Sequence, residues 1–133
     1  MAQRIQIALS VSKKTASALS KGAPVKLDTD AEYVVTSTSS NDAAIYGVLK
    51  DDSVAGGTVE VIRLGIAPVK IQTASGIAVG DFLMNGTAGG KAIEVAAVAG
   101  TNYFAFARVD EAPGADNDLV TCAINAFMTP IQG

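Results

Sequence analysis

Short runs of alternating apolar and polar residues, separated by glycines and acidic pairs, constrain the fold of this chain more than any other feature. The clearest stretch, residues 44–83, reads AIYGVLKDDSVAGGTVEVIRLGIAPVKIQTASGIAVGDFL. Alternation with a period of two is typical of a strand with one buried face, and Gly and Asp are typical of turns between strands. The stretch therefore predicts small, tightly wound β-structure. It contains no candidate catalytic group, which favours a structural role.

The same pattern extends over most of the chain and predicts about nine or ten short strands without a long helix. They fall within residues 3–11, 24–27, 33–35, 45–49, 58–64, 67–72, 82–84, 91–98, 103–109 and 119–127. Apolar residues make up 49% of the sequence and aromatic residues only 5%, and small branched side chains suit a thin core. We predict an all-β domain, either a compact β-sandwich or a small β-barrel. Gly65 is predicted to form a bulge or bend, and Pro68 to lie at a sheet edge or strand start.

Charge is divided unevenly along the sequence. The net charge is −3, yet the segment before Asp28 has five basic and no acidic residues, whereas the rest has five basic and thirteen acidic residues. A basic segment attached to an acidic body suggests that the two parts have different partners. We therefore predict two parts: residues 1–21 form a basic N-terminal arm or a first strand, and residues 22–133 form the β-domain.

The basic segment is the candidate interaction site. We expect its basic residues to dock on an acidic protein surface and its apolar residues to add a strand to a neighbour's sheet edge. The candidate contact residues are Arg4, Ile5, Ile7, Lys13 and Lys14. The alternatives are a solvated leader, or a strand that belongs to the domain's own sheet. Direct nucleic-acid binding is not expected, because five spread charges without interleaved aromatic residues are sparse for tracking phosphates.

Side chains that carry chemistry are sparse. The sequence has no His, which is the commonest general base and metal ligand, and its one cysteine, Cys122, lies in the alternating run LVTCAINAF, which predicts a buried strand residue. The acidic pairs Asp51-Asp52 and Asp110-Glu111 fall in predicted turns, and the segment DEAPGADND lacks the spacing of an EF-hand. We predict no catalytic, cofactor or metal site, and the chain is not expected to be an enzyme.

One glycine-rich segment, GTAGGK at residues 86–91, invites comparison with a phosphate-binding loop. That motif needs Gly, four residues, Gly-Lys and then Ser or Thr. Here Asn85 occupies the first position and Ala92 follows the lysine, so a flexible hairpin loop is predicted instead. The first twenty residues do not read as a secretory signal, and no run of about 18 apolar residues predicts a membrane span.

Four segments resemble the small capsid decoration proteins of tailed bacteriophages, which are also called cement or head-stabilising proteins. They are IYGVLKDD (45–52), AGGTVEVIRLGIAPVKI (55–71), SGIAVGDFL (75–83) and FARVDEAPGADNDLVTCAI (106–124). The resemblance covers residues 22–127 and rests on glycine and hydrophobic spacing. It implies a compact β-domain, usually a homotrimer, at or near three-fold positions on the outer capsid surface.

Further expectations follow from this resemblance. The partner would be the major capsid protein, whose neighbouring copies the trimer would bridge, and some members of the family use a terminal arm to reach the shell. The protein would be made in the host cytoplasm and located on the outside of the virion. The family has no catalytic residues, and no cofactor, direct nucleic-acid contact or membrane contact is expected.

A second interpretation stays open from the sequence. The segment GIAVGDFL, residues 76–83, is similar to the Gly-Asp turn of lipoyl and biotinyl carrier domains. The chain would then be a β-barrel binding module or carrier domain acting on soluble protein partners. Carrier domains present a modified lysine on a tight hairpin, however, and Lys50, Lys70 and Lys91 lack the acidic or Met residues that flank it.

Overall fold

Eleven β-strands lie within residues 5–96, 99–127 and 131–132, which are the residues that this computed structural model describes. In chain order they are β1 (Gln6–Thr15), β2 (Pro24–Leu27), β3 (Tyr33–Val35), β4 (Ile45–Leu49), β5 (Thr58–Lys70), β6 (Phe82–Asn85), β7 (Ala92–Glu94), β8 (Asn102–Tyr103), β9 (Ala107–Val109), β10 (Leu119–Asn125) and β11 (Ile131–Gln132). These residues include no helix, and hence none that is long and apolar enough to cross a membrane. The predicted all-β fold is confirmed.

The longest strand, β5, is shared by two halves of the structure. One of its edges pairs antiparallel with β1 along residues 58–66. Its other edge pairs with β4 at residues 61–62 and then with β10 over residues 64–70. Because β4 and β10 follow one another along the same edge, each belongs to one half, whereas β5 belongs to both.

The first half is a closed barrel. Its strand order is β1-β3-β2-β4-β5, and β5 pairs back to β1. The β1–β3 pair is parallel and the other pairs are antiparallel. Small and branched side chains fill the interior, which suits a narrow barrel; they are Ala23, Val25, Val34, Leu49, Val59 and Val61. Of the two predicted architectures, the structure therefore has the barrel, with five strands in the ring and additional strands outside it.

The second half continues from β5 through β10, β9, β6 and β7, all of which pair antiparallel. β7 returns to the end of β5 through a parallel bridge between Ala92 and Ile71, beside which the Gln72 N–H donates to the Ala92 carbonyl at 2.8 Å. The larger core cluster lies mainly in this half, where it includes Val69, Leu83, Phe106, Val120 and Ile124, and it extends to Ile45 and Val48 of β4. Strands β8 and β11 form a separate pair.

β5 runs without a break where the sequence predicts two strands, 58–64 and 67–72. Residues two apart in a strand direct their N–H groups to the same edge. The Lys70 N–H leaves the edge opposite β10 and donates to the Gly22 carbonyl at 2.9 Å. The nitrogen of Pro68 therefore faces that edge too, beyond the last residue that β1 pairs with, Ile66. Proline thus costs no ladder hydrogen bond and lies at a local sheet edge, as predicted.

The predicted strand 103–109 is interrupted instead, and forms β8 and β9. The side chain of Asn41 takes the place of a neighbouring strand between them. The Phe104 N–H donates to Asn41 Oδ1 at 2.7 Å, and Asn41 Nδ2 donates to the Asn102 carbonyl at 2.8 Å. Strand pairing stops there because these backbone groups are already satisfied by a side chain.

The basic N-terminal segment enters the sheet of the barrel. Residues 6–15 form β1, which pairs with β5 over most of its length and with β3 at its end. Of the two forms predicted for this segment, an arm or a first strand, these ten residues take the form of a strand. The division of the chain between residues 21 and 22 stays a prediction.

At Gly65 the backbone of β1 approaches β5 closely. The φ of Gly65 is +147°, and an added Cβ would overlap the Gln6 carbonyl oxygen and approach the Ile7 Cα to 3.0 Å. The pairing register shifts beside this point, between Ile7 and Leu9 and again between Leu9 and Ser10. The irregularity predicted at Gly65 is therefore present, and the close backbone approach explains why glycine occupies the position.

We expect Gly65→Ala to lower the free energy of unfolding by about 3 kcal/mol, since overpacking a tight site and forcing a positive φ on a non-glycine residue each cost roughly 1–3 kcal/mol. Gly56→Ala is the matched control, because Gly56 also has a positive φ, +75°, but nothing lies within 4 Å of an added Cβ. We expect the control to lose about 1 kcal/mol. Urea unfolding measures both variants, and equal losses would contradict the close approach.

Candidate functional site

One edge of β1 is open along most of its length. The other edge pairs with β5, whereas this one pairs with β3 only at Lys14 and Thr15. Within the described part of the chain, no strand covers it from Gln6 to Lys13. An open strand edge presents unpaired N–H and C=O groups and is a template for pairing with another chain. β1 is therefore the candidate interaction site of the fold.

Large aliphatic side chains are exposed at the N-terminal end of β1. Ile5, Ile7 and Leu9 expose 40, 37 and 41% of their surface, and Leu64, which lies opposite Leu9 on β5, exposes 39%. We call these four residues the apolar strip. Half of the eight exposed large hydrophobic residues in the described ranges belong to it. Such grouping is typical of a contact surface, whereas single exposed apolar residues are common on any protein.

The basic residues lie towards the other end of β1. Lys13 Nζ donates to the Ala31 carbonyl at 2.6 Å and lies 5.5 Å from the centre of the Tyr46 ring. Lys14 is exposed, and its backbone N–H donates to the Glu32 carbonyl at 2.9 Å. An open cavity of about 330 Å³ lies here, lined by Ser12, Lys13, Lys14, Glu32 and Thr58.

The structure divides the sequence-predicted contact residues into two groups. Ile5 and Ile7 lie in the apolar strip, and Lys13 and Lys14 lie roughly 20 Å further along β1, given the rise of about 3.3 Å per strand residue. Arg4 lies outside the described residues. A partner that contacts both groups must therefore extend along the length of β1.

Three residues that the sequence reasoning missed lie beside this surface: Arg63, Leu64 and Phe127. Arg63 lies at the step where β5 changes partner from β4 to β10. Its Nε donates to the Tyr46 carbonyl at 2.8 Å, and its guanidinium lies 3.9 Å from the centre of the Tyr46 ring and 4.1 Å from that of Phe127. Leu64 joins the apolar strip only through its register with Leu9, which no local sequence pattern specifies.

The cysteine and two of the aspartates have structural surroundings: the thiol is buried, and the carboxylates bind backbone N–H groups. Cys122 is fully buried, and this burial, together with the charge of Asp110, raises the pKa of its thiol to about 12. The thiol is therefore not ionised near neutral pH and is a poor nucleophile. Asp118 accepts hydrogen bonds from the Gly114 and Ala115 N–H groups of its own turn at 2.9 and 2.8 Å, and Asp116 accepts one from the Ala74 N–H at 2.8 Å, which joins this turn to the segment after β5. The described residues contain no group of acidic, Cys or His side chains that would hold a metal ion.

Asp42 is a further structural carboxylate. It accepts hydrogen bonds from the Ser37 hydroxyl at 2.5 Å and the Ala44 N–H at 2.8 Å, and lies 3.7 Å from Lys26 Nζ. Burial alone would raise the pKa of this carboxyl. The hydrogen bonds and the charge of Lys26 outweigh burial and hold the pKa below its ordinary value. Asp42 therefore connects β2 to the loop before β4 as an anion.

The chain is similar to known proteins in structure but not in sequence. No known sequence family matches the chain, and no characterised protein matches it in sequence. The fold is similar to that of the head fiber gp8.5 N base in bacteriophage phi29, with a TM-score of 0.63 and 20% identity over 94% of this chain and 98% of that one. It is also similar to a chain in the capsid of Myoviridae phage XM1, with a TM-score of 0.60 and 19% identity over 96% of this chain and 86% of that one.

These similarities concern nearly the whole chain, and so they describe the complete arrangement of strands and not one common hairpin. The sequence-level resemblance to phage capsid proteins is confirmed at the level of fold. This chain has an all-β fold that also occurs in head and capsid proteins of bacteriophages.

Proposed function

We propose that this protein is a structural component of a tailed-phage virion. It binds the outer surface of the head as a homotrimer, stabilises contacts between major capsid proteins, and has no catalytic role. The observation that carries the proposal is the likeness in fold, over 94% and 96% of the chain, to a phage head fiber base and a phage capsid chain.

The apolar strip supplies the hydrophobic part of the proposed capsid contact. Burying a Leu or Ile side chain completely contributes about 1.5–3 kcal/mol. The four side chains of the strip each expose only about two-fifths of their surface, so covering them gains roughly 1 kcal/mol apiece on that scale. One copy of the chain therefore gains a modest contact from the strip, which suits a protein that attaches through many copies.

The open edge of β1 supplies the directional part of the contact. An extended segment of the capsid protein would pair with the backbone between Gln6 and Lys13, as in other complexes formed by strand addition. The backbone hydrogen bonds would fix the register, and the exposed side chains of Ile5, Ile7 and Leu9 lie beside this edge, on both sides of the register shift.

Arg4, Lys13 and Lys14 supply the electrostatic part of the contact. Lys14 is exposed, and Lys13 has one hydrogen bond to a backbone carbonyl. An acidic capsid surface would attract this end of β1 over a distance of about one Debye length, roughly 10 Å at 0.1 M salt. This part of the contact governs the rate of encounter more than the final affinity.

Trimer formation multiplies these contacts. A cyclic trimer places three copies of β1 around one axis, where they engage neighbouring capsid subunits together. Once one copy is bound, the others bind at a high effective concentration, so three modest contacts produce firm attachment. Three-fold positions of a phage shell match this arrangement.

We expect Ile5→Ser/Ile7→Ser to weaken capsid binding at least about tenfold, since about 1.4 kcal/mol of lost contact corresponds to a factor of ten. Binding is measured by co-sedimentation with phage heads. The heads come from the phage that encodes the chain and are prepared so that they lack this protein. The control is Leu27→Ser/Val79→Ser, which alters two exposed apolar residues outside the strip, 39% and 64% exposed. Equal binding by both folded double variants would rule out the apolar strip as the contact.

We expect the purified protein to have a mass of three times the 13.5 kDa chain mass at micromolar concentration, because the decoration proteins that the sequence resembles are usually homotrimers, and a trimer can close as a symmetric ring. Size-exclusion chromatography with light scattering gives this mass directly. A monomer at these concentrations would contradict the trimer, and the co-sedimentation result would still decide capsid binding separately.

A further inference from the structure

A cavity with two lysines lies away from β1, where the end of β5, the loop before β2 and the β6–β7 loop meet. Its volume is about 190 Å³, enough for several water molecules at about 30 Å³ each. The polar groups and glycines in its lining are Ser20, Thr36, Lys70, Gly89, Gly90 and Lys91. None of the described residues that line it is acidic, although residues from Asp28 onward include thirteen acidic and only five basic ones.

The two lysines of this cavity differ from other lysines of the described chain in their surroundings. In the ranges that the structure describes, neither Lys70 nor Lys91 has a side-chain hydrogen bond or ion pair. Lys26 and Lys50, in contrast, lie 3.7 and 3.4 Å from carboxylates. Both cavity lysines are partly buried. Two like charges beside one partly enclosed space repel each other, and an anion between them removes that cost.

The glycine-rich loop of the cavity is held in place from behind. Gln72 Oε1 accepts hydrogen bonds from the Thr87 and Ala88 N–H groups at 3.1 and 3.0 Å. The Gly86 N–H donates to the Lys91 carbonyl at 3.0 Å, which closes the loop at its base. The loop therefore has a defined conformation before any ligand arrives, and a preformed loop loses less entropy on binding.

Gly90, which lines the cavity, adds a candidate backbone donor. It is buried with a φ of +79°, and an added Cβ would approach Thr36 Cγ2 to 3.1 Å. Its backbone N–H has no acceptor among the residues described. Buried N–H groups without a partner are rare because they cost about as much as a lost hydrogen bond. Backbone N–H groups in glycine-rich turns commonly satisfy this need with an anion.

We propose that this cavity binds a compact oxyanion, a carboxylate or a phosphate group, between Lys70 and Lys91, with the Gly90 N–H as a further donor. The hydroxyl groups of Ser20 and Thr36 complete the set of donors in the lining. The segment 86–91 departs from the phosphate-loop motif at Asn85 and Ala92. These departures do not affect the proposed site, because its two lysines lie at the ends of different strands: Lys70 ends β5, and Lys91 directly precedes β7. A phosphate would come from solution, and a carboxylate from an acidic side chain of a partner protein.

The site is tested by titrating the protein with each of two anionic probes at constant ionic strength and recording the amide NMR spectrum at each step. One probe is inorganic phosphate, and the other is the capped peptide acetyl-Gly-Glu-Glu-Gly-amide. We expect saturable shifts at the amides of Gly89, Gly90 and Lys91 with at least one probe. Saturation with phosphate alone assigns the anion to solution, and saturation with the peptide alone assigns it to a protein partner; either result supports the site.

Matched lysine variants complete the test. We expect Lys70→Ala/Lys91→Ala to lower the affinity for the effective probe at least tenfold, and Lys70→Gln/Lys91→Gln repeats the test with longer side chains if the first variant does not fold. Lys50→Ala/Arg108→Ala removes the same charge outside both the cavity lining and β1 and should change the affinity less than twofold. Absence of saturable shifts at the three amides with both probes, or equal losses in the two pairs of variants, would overturn the proposal.

Discussion

Backbone pairing along both edges of β5 is the interaction on which the rest of the structure depends. Residues 58–70 form ladders with β1 on one edge and with β4 and then β10 on the other. Each of these hydrogen bonds contributes only about 0.5–1.5 kcal/mol net, but together they hold both halves to one strand. Gly65 permits the close approach of β1, and Arg63 occupies the step where β4 gives way to β10.

The surfaces of the protein follow from this use of β5. The barrel closes through only two pairs between β1 and β3, and so the rest of the outer edge of β1 is left open with the apolar strip at its end. At the end of β5, residues of both halves line the cavity that contains Lys70 and Lys91. The proposed capsid contact and the proposed anion site are therefore both consequences of how the strands are ordered.

Local sequence pattern predicted the class of fold and most strands, because alternation and turn residues act over a few neighbours. It did not predict that β5 passes through Gly65 and Pro68, since this depends on which edge each nitrogen faces. It also missed the interruption by Asn41, which acts on residues some sixty positions away.

The candidate site shows the same limit of sequence reasoning. Ile5, Ile7, Lys13 and Lys14 are recognisable in the sequence because they lie on one alternating strand. Leu64 reaches that surface only through pairing, and such register is a property of the whole sheet. The glycine-rich segment 86–91 departs from the phosphate-loop motif in sequence, and its placement beside Lys70 follows only from the fold.

The central claim is that this fold serves as a structural part of a phage head, with β1 facing the shell. Cryo-electron microscopy of heads with and without the protein tests it most directly. We predict added density on the outer surface, with three copies around one axis and the open edge of β1 against the capsid protein. Heads that show no such density, or density in which β1 faces solvent, would contradict it.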